Sequence, residues 1–167
     1  MCIGIFKNKW KDFEPTDKYL QVIKPLTSVT KLHDFIQQFQ WTGEKGDVWQ
    51  TPEEFLKNEH LDCDDFSRFA VDVLVRIQKI EGARFVIHSG YDKKRWGSKI
   101  WNIKGHAICV FEWQGKFGVF SNNQLYTGLS SVEDAGKITF KDGLKYQEIR
   151  DWQGKILSKK FKLFGVF

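Results

Sequence analysis

The segment Leu61-Asp62-Cys63-Asp64-Asp65-Phe66 is the most informative part of the chain, because it places a cysteine at the start of an amphipathic helix. Asp62 is the predicted N-cap, since its side-chain oxygen can accept hydrogen bonds from the free amides of the first turn. The helix is predicted to run to about Glu81-Gly82, where the glycine would serve as C-cap. The apolar residues recur at helical spacing and predict one buried face: Phe66, Phe69, Ala70, Val73, Leu74 and Ile77.

Cys63 is a candidate nucleophile because of this position. The positive end of a helix dipole and its unpaired N–H groups favour a thiolate, which is the reactive form of cysteine. Two observations weigh against this. A cysteine on an apolar stripe is commonly a core residue, and the carboxylates of Asp62, Asp64 and Asp65 oppose ionisation of a nearby thiol. A catalytic interpretation therefore needs a base and a group that orients it.

Length and composition predict one globular domain spanning residues 1–167, with 41% hydrophobic and 16% aromatic residues. The net charge of +5 is compatible with an anionic partner but does not require one. Three irregularly spaced cysteines, Cys2, Cys63 and Cys109, and a start without an apolar leader predict free thiols and a cytoplasmic location, in keeping with a bacterial or phage gene. No apolar run is long enough for a membrane span.

The order of secondary-structure signals predicts an α+β fold with an antiparallel sheet. Residues 1–30 are predicted to be irregular, with short helices at 31–39 and 51–57, the latter opened by Thr51-Pro52-Glu53-Glu54. After the Cys63 helix the apolar period changes to two. Strands are predicted at 84–88, 106–112, 116–121, 137–140, 146–150 and 161–167, with a hairpin turn at Gln114-Gly115.

His106 is the candidate base, because it opens the predicted central strand and can face the start of the Cys63 helix. A lone histidine at a strand start is also a common surface residue. The return strand ends at Ser121-Asn122-Asn123. A two-residue hairpin turn would put Asn123 opposite His106, whereas a longer loop or a bulge would bring Asn122 there. Either amide oxygen could accept the imidazole N–H and fix its tautomer.

These segments together resemble the transglutaminase-like cysteine peptidase superfamily, and in particular its bacterial group, in which W-x-T-P-x-E precedes G-D-C-E-D-Y-A. The matching stretches are Trp49 to Leu56, Leu61 to Phe66, Gly105 to Ile108 and Ser121 to Asn123, in the family's order, within residues 48–126. Leu61 stands where the family has glycine.

The resemblance implies a papain/transglutaminase-like fold, in which a Cys-bearing helix packs on an antiparallel β-sheet. It implies that Cys63 is the nucleophile and His106 the base. The family's third member is usually Asp, and ungapped counting from His106 puts its slot at Ser121. Because serine orients an imidazole weakly, Asn122 is assigned after a shift of one residue. The Cys63 N–H and a donor from Trp49 or Gln50 would bind the oxyanion.

No cofactor is predicted. In some relatives carboxylates near the cysteine bind calcium, and Asp62, Asp64 and Asp65 could offer oxygen ligands, although a solvated cap is the expected role. A zinc site is disfavoured, because the cysteines and histidines lack paired ligand spacing. Cys2 as an N-terminal nucleophile is a minor alternative.

The predicted function is thiol-dependent acyl transfer at an amide or peptide bond, most simply hydrolysis of a protein or peptide by a Cys63–His106–Asn122 triad. The basic, aromatic segment Trp96 to Trp101 is a candidate cleft wall. The alternative is a catalytically inactive fold that binds protein or nucleic acid. Its support is Lys93-Lys94-Arg95-Trp96 and the C-terminal lysines Lys155, Lys159, Lys160 and Lys162.

Overall fold

The computed structural model describes residues 10–42, 49–91, 103–140 and 144–161. Its helices are α1 (Asp17–Ile23), α2 (Val29–Ile36), α3 (Pro52–Phe55), α4 (Cys63–Arg76) and α5 (Val132–Thr139). Its strands are β1 (Arg84–Tyr91), β2 (Ile103–Trp113), β3 (Lys116–Ser121), β4 (Gln124–Leu129), β5 (Leu144–Arg150) and β6 (Ile156–Phe161). Within these ranges no helix is long and apolar enough to cross a membrane.

The strands form one six-stranded sheet in the order β4-β3-β2-β1-β5-β6, and the pairing between neighbours is antiparallel throughout. The predicted α+β class is confirmed. The strand that carries His106 is central, as predicted, because β2 pairs with β1 on one side and with β3 on the other.

Helix α4 packs on one face of the sheet, with α1, α2 and α3 outside it. All residues from Asp64 to Leu74 are buried, which is unusual for an amphipathic helix. Its polar face is therefore covered as well. Asp72 accepts a hydrogen bond from the Tyr19 hydroxyl at 2.7 Å, and Arg68 donates to the Gln50 carbonyl at 2.8 Å. The rings of Phe55 and Phe69 stack within this layer, with their centroids 4.5 Å apart.

The opposite face of the sheet is covered by the short helix α5 and has a thinner core. Its buried residues are small and β-branched: Val86, Ile108, Val110, Val119 and Ala135. Because side chains alternate along a strand, the neighbours Phe85, Ala107 and Cys109 point the other way, into the α4 layer.

The predicted hairpin between β2 and β3 is present. Gln114 and Gly115 form its turn with φ of 54° and 71°, and positive φ at both central residues is typical of a type I′ turn. Further along, Gly118 lies directly opposite Phe111. A Cβ atom on Gly118 would come within 2.5 Å of the Phe111 ring, so glycine is required for this close approach.

A buried ion pair on β5 is extended to the edge strand β6 by a third residue. Glu148 and Arg150 are each 1% exposed, and their closest side-chain atoms are 2.6 Å apart. Lys159 of β6 adds a second cation at 3.1 Å from the Glu148 carboxylate. Pairing with two cations and the Tyr146 hydroxyl makes burial of the Glu148 charge tolerable.

Several sequence predictions were wrong. Residues 137–140 belong mainly to helix α5, which Ser131 caps by accepting the Asp134 N–H at 3.2 Å. Helix α1 lies within the stretch expected to be irregular, and strand β4 was missed. Helix α4 ends at Arg76, with Lys79 beyond it in the left-handed region at φ 59°, so Gly82 is not its cap. Cys2 and residues 92–102 and 162–167 lie outside the described residues.

Candidate functional site

The start of α4 is fixed by two carboxylates. Asp62 is the N-cap, as predicted, and accepts the Asp64 N–H at 3.1 Å. Asp65 returns a hydrogen bond to the cap, since its Oδ2 accepts the Asp62 N–H at 3.1 Å. Its Oδ1 accepts the Gln50 N–H, also at 3.1 Å. Asp65 therefore joins the segment before α3 to the Cys63 turn, and satisfies backbone donors that would otherwise be buried and unpaired.

The Cys63 sulfur contacts the central strand. The Ala107 N–H donates to Sγ at 3.4 Å, and the Ser67 hydroxyl donates to the Cys63 carbonyl at 2.7 Å. Since the Ala107 nitrogen is bonded to the carbonyl carbon of His106, standard bond lengths put the His106 Cα within roughly 6 Å of the sulfur. The structure therefore puts the Cys63 sulfur close to the backbone of His106.

The His106 imidazole bonds to β3. Its Nε2 lies 2.8 Å from the Ser121 hydroxyl oxygen. His106 is directly opposite His88 in the ladder, on the α5 side of the sheet, whereas the side chain of Ala107 belongs to the α4 layer. In the described part of the chain, no hydrogen bond joins the His106 ring to the Cys63 sulfur.

The hydrogen bond expected of Asn122 is made by Ser121 instead. Asn122 adopts φ of 52° in the turn between β3 and β4, which directs it away from the ladder position that Ser121 occupies. Asparagine tolerates this left-handed conformation better than most residues. The Asn122 Oδ1 is buried and has no hydrogen-bond partner among the described residues. The sequence did contain a signal for Ser121, because counting from His106 without a gap put the family's third position at this residue.

Burial sets the protonation states of the Cys63 thiol and the His106 imidazole. Desolvation raises the pKa of the Cys63 thiol, the charges of Asp62 and Asp64 add to this, and the Ala107 N–H opposes it. The expected preference for a thiolate is therefore wrong for the resting site. Burial also lowers the pKa of His106 to about 4, against a smaller opposite effect of Asp62. At neutral pH the site holds a thiol and a neutral imidazole.

A second buried histidine lies beside His106. His88 is 0% exposed, and burial lowers its pKa to about 4. Its Nε2 is 3.0 Å from the Gln147 amide nitrogen, and its Nδ1 is 3.1 Å from the Thr139 hydroxyl, which donates to the Gly136 carbonyl at 3.0 Å. This chain of donors makes Nε2 the acceptor and puts the proton on Nδ1. The neutral ring is thus fully hydrogen-bonded.

The possible calcium ligands and the predicted oxyanion donor Gln50 are partly engaged in other contacts. Asp62, Cys63 and Asp64 hold ligand atoms within 4.8 Å of one another. Asp65 uses both oxygens on backbone donors. Two carboxylates and a sulfur do not supply the six to eight oxygen ligands that calcium takes.

The Gln50 side chain, predicted as an oxyanion donor, instead donates to the His60 carbonyl at 3.0 Å and accepts from Asn58 at 2.5 Å.

Comparison with known proteins gives a distant structural similarity. No family model matches the chain, and no curated protein matches its sequence. Among solved structures, the chain is similar to calcium-bound LapG of Legionella pneumophila, with 15% sequence identity and a TM-score of 0.45. The alignment covers 76% of this chain and 70% of that one.

Proposed function

We propose that the protein catalyses thiol-dependent acyl transfer at an amide or peptide bond, with water as the acceptor. Cys63 is the nucleophile, His106 the base, and Ser121 the residue that orients the imidazole. The contact that carries this proposal is the 3.4 Å hydrogen bond from the Ala107 N–H to the Cys63 sulfur. It joins the start of α4 to β2 at the residue next to His106.

The chemistry needs a particular tautomer of His106. If Nε2 carries the proton and donates it to Ser121, then Nδ1 has the free electron pair of a base. The opposite tautomer would have no base at Nδ1. A hydroxyl can accept this hydrogen bond, but it cannot stabilise the imidazolium by charge as a carboxylate does. We therefore expect a slower reaction than a Cys-His-Asp site supports.

The proposed reaction has two steps. The Cys63 sulfur attacks the carbonyl carbon as its proton passes to His106, and the tetrahedral oxyanion is bound by the Cys63 N–H at the helix start. The C–N bond then breaks, the amine leaves with the proton from His106, and a thioester forms. Water attacks the thioester with His106 again as base, which releases the acid and regenerates the thiol.

The resting protonation state fits a base that acts during attack. With a neutral imidazole and a protonated thiol, no ion pair is stored before substrate binds. Catalytic hydrogen bonds are often absent in free enzymes and form only in the substrate complex. To take the thiol proton, the His106 ring would have to leave its place on the α5 side of the sheet and reach the sulfur around the edge of β2, and the hydrogen bond to Ser121 opposes this movement.

The alternative function is that of an inactive binding module. The raised pKa of Cys63, the serine at the third position and the separate hydrogen bonds of sulfur and imidazole favour this alternative.

Acylation by p-nitrophenyl acetate distinguishes the two functions. We expect a burst of p-nitrophenol and an acetyl group on Cys63 by mass spectrometry. His106→Gln should slow acylation by about 100-fold or more, and Cys63→Ser should abolish it. Cys109→Ser is the matched control, since Cys109 is buried in the core. Acetylation of Cys63 at the rate of an unassisted thiol, unchanged in His106→Gln, would leave only the binding module.

A further inference from the structure

The two edges of the sheet differ in what they expose. Edge strand β6 carries three large hydrophobic residues that are open to solvent: Ile156 at 40%, Leu157 at 48% and Phe161 at 70% exposure. Among the described residues, the only others of this kind are Val22 on α1 and Trp41. Strand β4, at the opposite edge, has none. Being at an edge therefore does not account for the exposed side chains of β6.

The exposed residues of β6 lie on both sides of a β-bulge. Lys159 and Phe161 pair with Glu148 and Tyr146 and share the α4 face of the sheet, whereas Leu157 lies at the register shift and lines a cavity beside Trp152 on the same side. Within the described chain β6 pairs on one side only, with β5. The outer backbone edge of β6 therefore has no strand partner among the described residues.

The charge at this edge is positive. The Glu148 carboxylate is matched by two cations, Arg150 and Lys159, so the group has one positive charge in excess. Lys155 lies at the start of the strand and has no ion pair among the described residues. Lys160 bonds only to Glu133, at 3.3 Å, with both side chains more than half exposed. Exposed pairs of this kind are weak and open to exchange.

A cavity extends the same surface. It encloses about 510 Å³ next to Leu157 and Trp152. Three cations line it, namely Arg76, Lys79 and Arg84, against the carboxylates of Glu81 and Asp151. Arg76 is already paired with the Asp72 carboxylate at 2.7 Å, which leaves Lys79 and Arg84 as the cations without a carboxylate partner among the described residues. The Asp151 carboxylate is already used within its own turn, where it accepts the N–H groups of Gln153 and Lys155 at 3.0 and 2.9 Å.

We propose that β6 is a docking edge for an extended acidic segment of a partner protein, which adds to the sheet as a seventh strand. The open backbone of β6 supplies the hydrogen bonds. Leu157 and Phe161 receive apolar side chains of the segment, and its acidic residues meet Lys159 and the cavity cations Lys79 and Arg84. A second copy of this chain fits less well, since two β6 strands would bring like charges together.

Fluorescence anisotropy with a designed peptide tests the proposal. The probe is a labelled peptide of about nine residues with leucine, glutamate and valine at alternate positions, so that these three side chains share one face of the added strand, and with glutamate and threonine between them. One control peptide has lysine in place of glutamate, and a second carries N-methyl groups on alternate amides. We expect the first peptide alone to bind, with affinity that falls as salt rises. Amide hydrogen exchange of residues 156–161 should slow in the complex.

Matched variants locate the binding surface. Leu157→Thr and Phe161→Thr replace the apolar side chain by a β-branched residue that suits a strand, and should each weaken binding about fivefold. Val22→Thr removes a comparably exposed side chain on α1 and should leave binding unchanged. Cys63→Ser should bind the peptide as well as the unaltered protein does, so this test is independent of the catalytic proposal.

Three outcomes would overturn the docking proposal. The first is equal binding of the acidic and the lysine peptides. The second is a concentration-dependent dimer that Leu157→Thr dissociates, which would assign β6 to a second copy. The third is binding of an oligothymidine at β6 without binding of the acidic peptide, which would assign the positive surface to nucleic acid.

Discussion

The two faces of the sheet are built differently. The α4 face is a thick layer of stacked aromatic rings beneath a helix that is buried all round, whereas the α5 face has a few small aliphatic residues and a group of polar ones. Cys63 belongs to the first face, and His106 with Ser121 to the second. Cys63 and His106 thus lie on opposite faces of β2, beside the point where the neighbouring strand β3 ends.

The largest expected effect is on the aromatic layer. Phe69→Ala should lower the free energy of unfolding by about 4 kcal/mol, because it leaves a large cavity under α4. Val119→Ala on the α5 face removes only two methyl groups and should cost about 2 kcal/mol. Urea unfolding of both variants measures the difference. Equal losses would mean that the two faces contribute equally to stability.

The second prediction concerns pH and the α5 face. His88 has a pKa of about 4 in the folded protein against 6.5 ordinarily, so the unfolded chain binds more protons between these values. Stability should therefore fall as the pH drops from 6.5 to 4, by an amount on the order of 3 kcal/mol for this residue. Below pH 4, His88 causes no further loss of stability.

Unfolding curves between pH 4 and 7 check this prediction. His88→Gln should flatten the dependence, and His60→Asn, at an exposed position, is the control. A dependence that persists unchanged in His88→Gln would assign it to other groups, His106 first among them.

The third prediction tests the close approach of two strands. Gly118→Val introduces a Cβ into the Phe111 ring and should destabilise the protein by about 2 kcal/mol, since core overpacking costs this much. The double variant Gly118→Val with Phe111→Leu should recover part of the loss, because the ring that creates the clash is gone. No recovery in thermal unfolding would point to the backbone instead of the ring.

The smallest effect on stability, and the most informative for the site, is expected from Ser121→Asp. A carboxylate at the position of the hydroxyl would pair with the imidazolium and raise the pKa of His106 by about one unit or more. Titration of the His106 ring protons by NMR measures this. Ser121→Ala should leave the ring unoriented and slow acylation of Cys63. If neither variant changes the titration or the rate, then Ser121 does not position His106.

Much of the α4 face was predictable because local signals agreed there. The Asp62 cap, the apolar stripe of α4 and the Gln114-Gly115 turn each predict one conformation, and the structure has all three. The α5 face was harder. Residues 137–140 are apolar enough for a strand, and only the Ser131 cap with its acidic first turn indicated a helix.

The sequence predicted that the His106 ring would face the Cys63 sulfur, whereas the structure puts the sulfur against the Ala107 N–H and the ring on Ser121. The choice between Ser121 and Asn122 depends on where one turn begins. Asn122 takes the left-handed conformation that ends β3, and two adjacent asparagines are themselves a turn signal. The contact between the Ala107 N–H and the sulfur uses a backbone donor, which every residue except proline has, so the sequence could not predict it.

The double role of Asp65 has a consequence for how this protein tolerates change. One carboxylate fastens two separate stretches of chain, so its loss would loosen both without touching any reacting atom. A saturation screen scored by activity would therefore rank this position beside the nucleophile itself. Glutamate at position 65, longer by one methylene, would reach at most one of the two amides well. Loss of activity in variants of Asp65 would therefore reflect a displaced backbone and not the removal of a catalytic group.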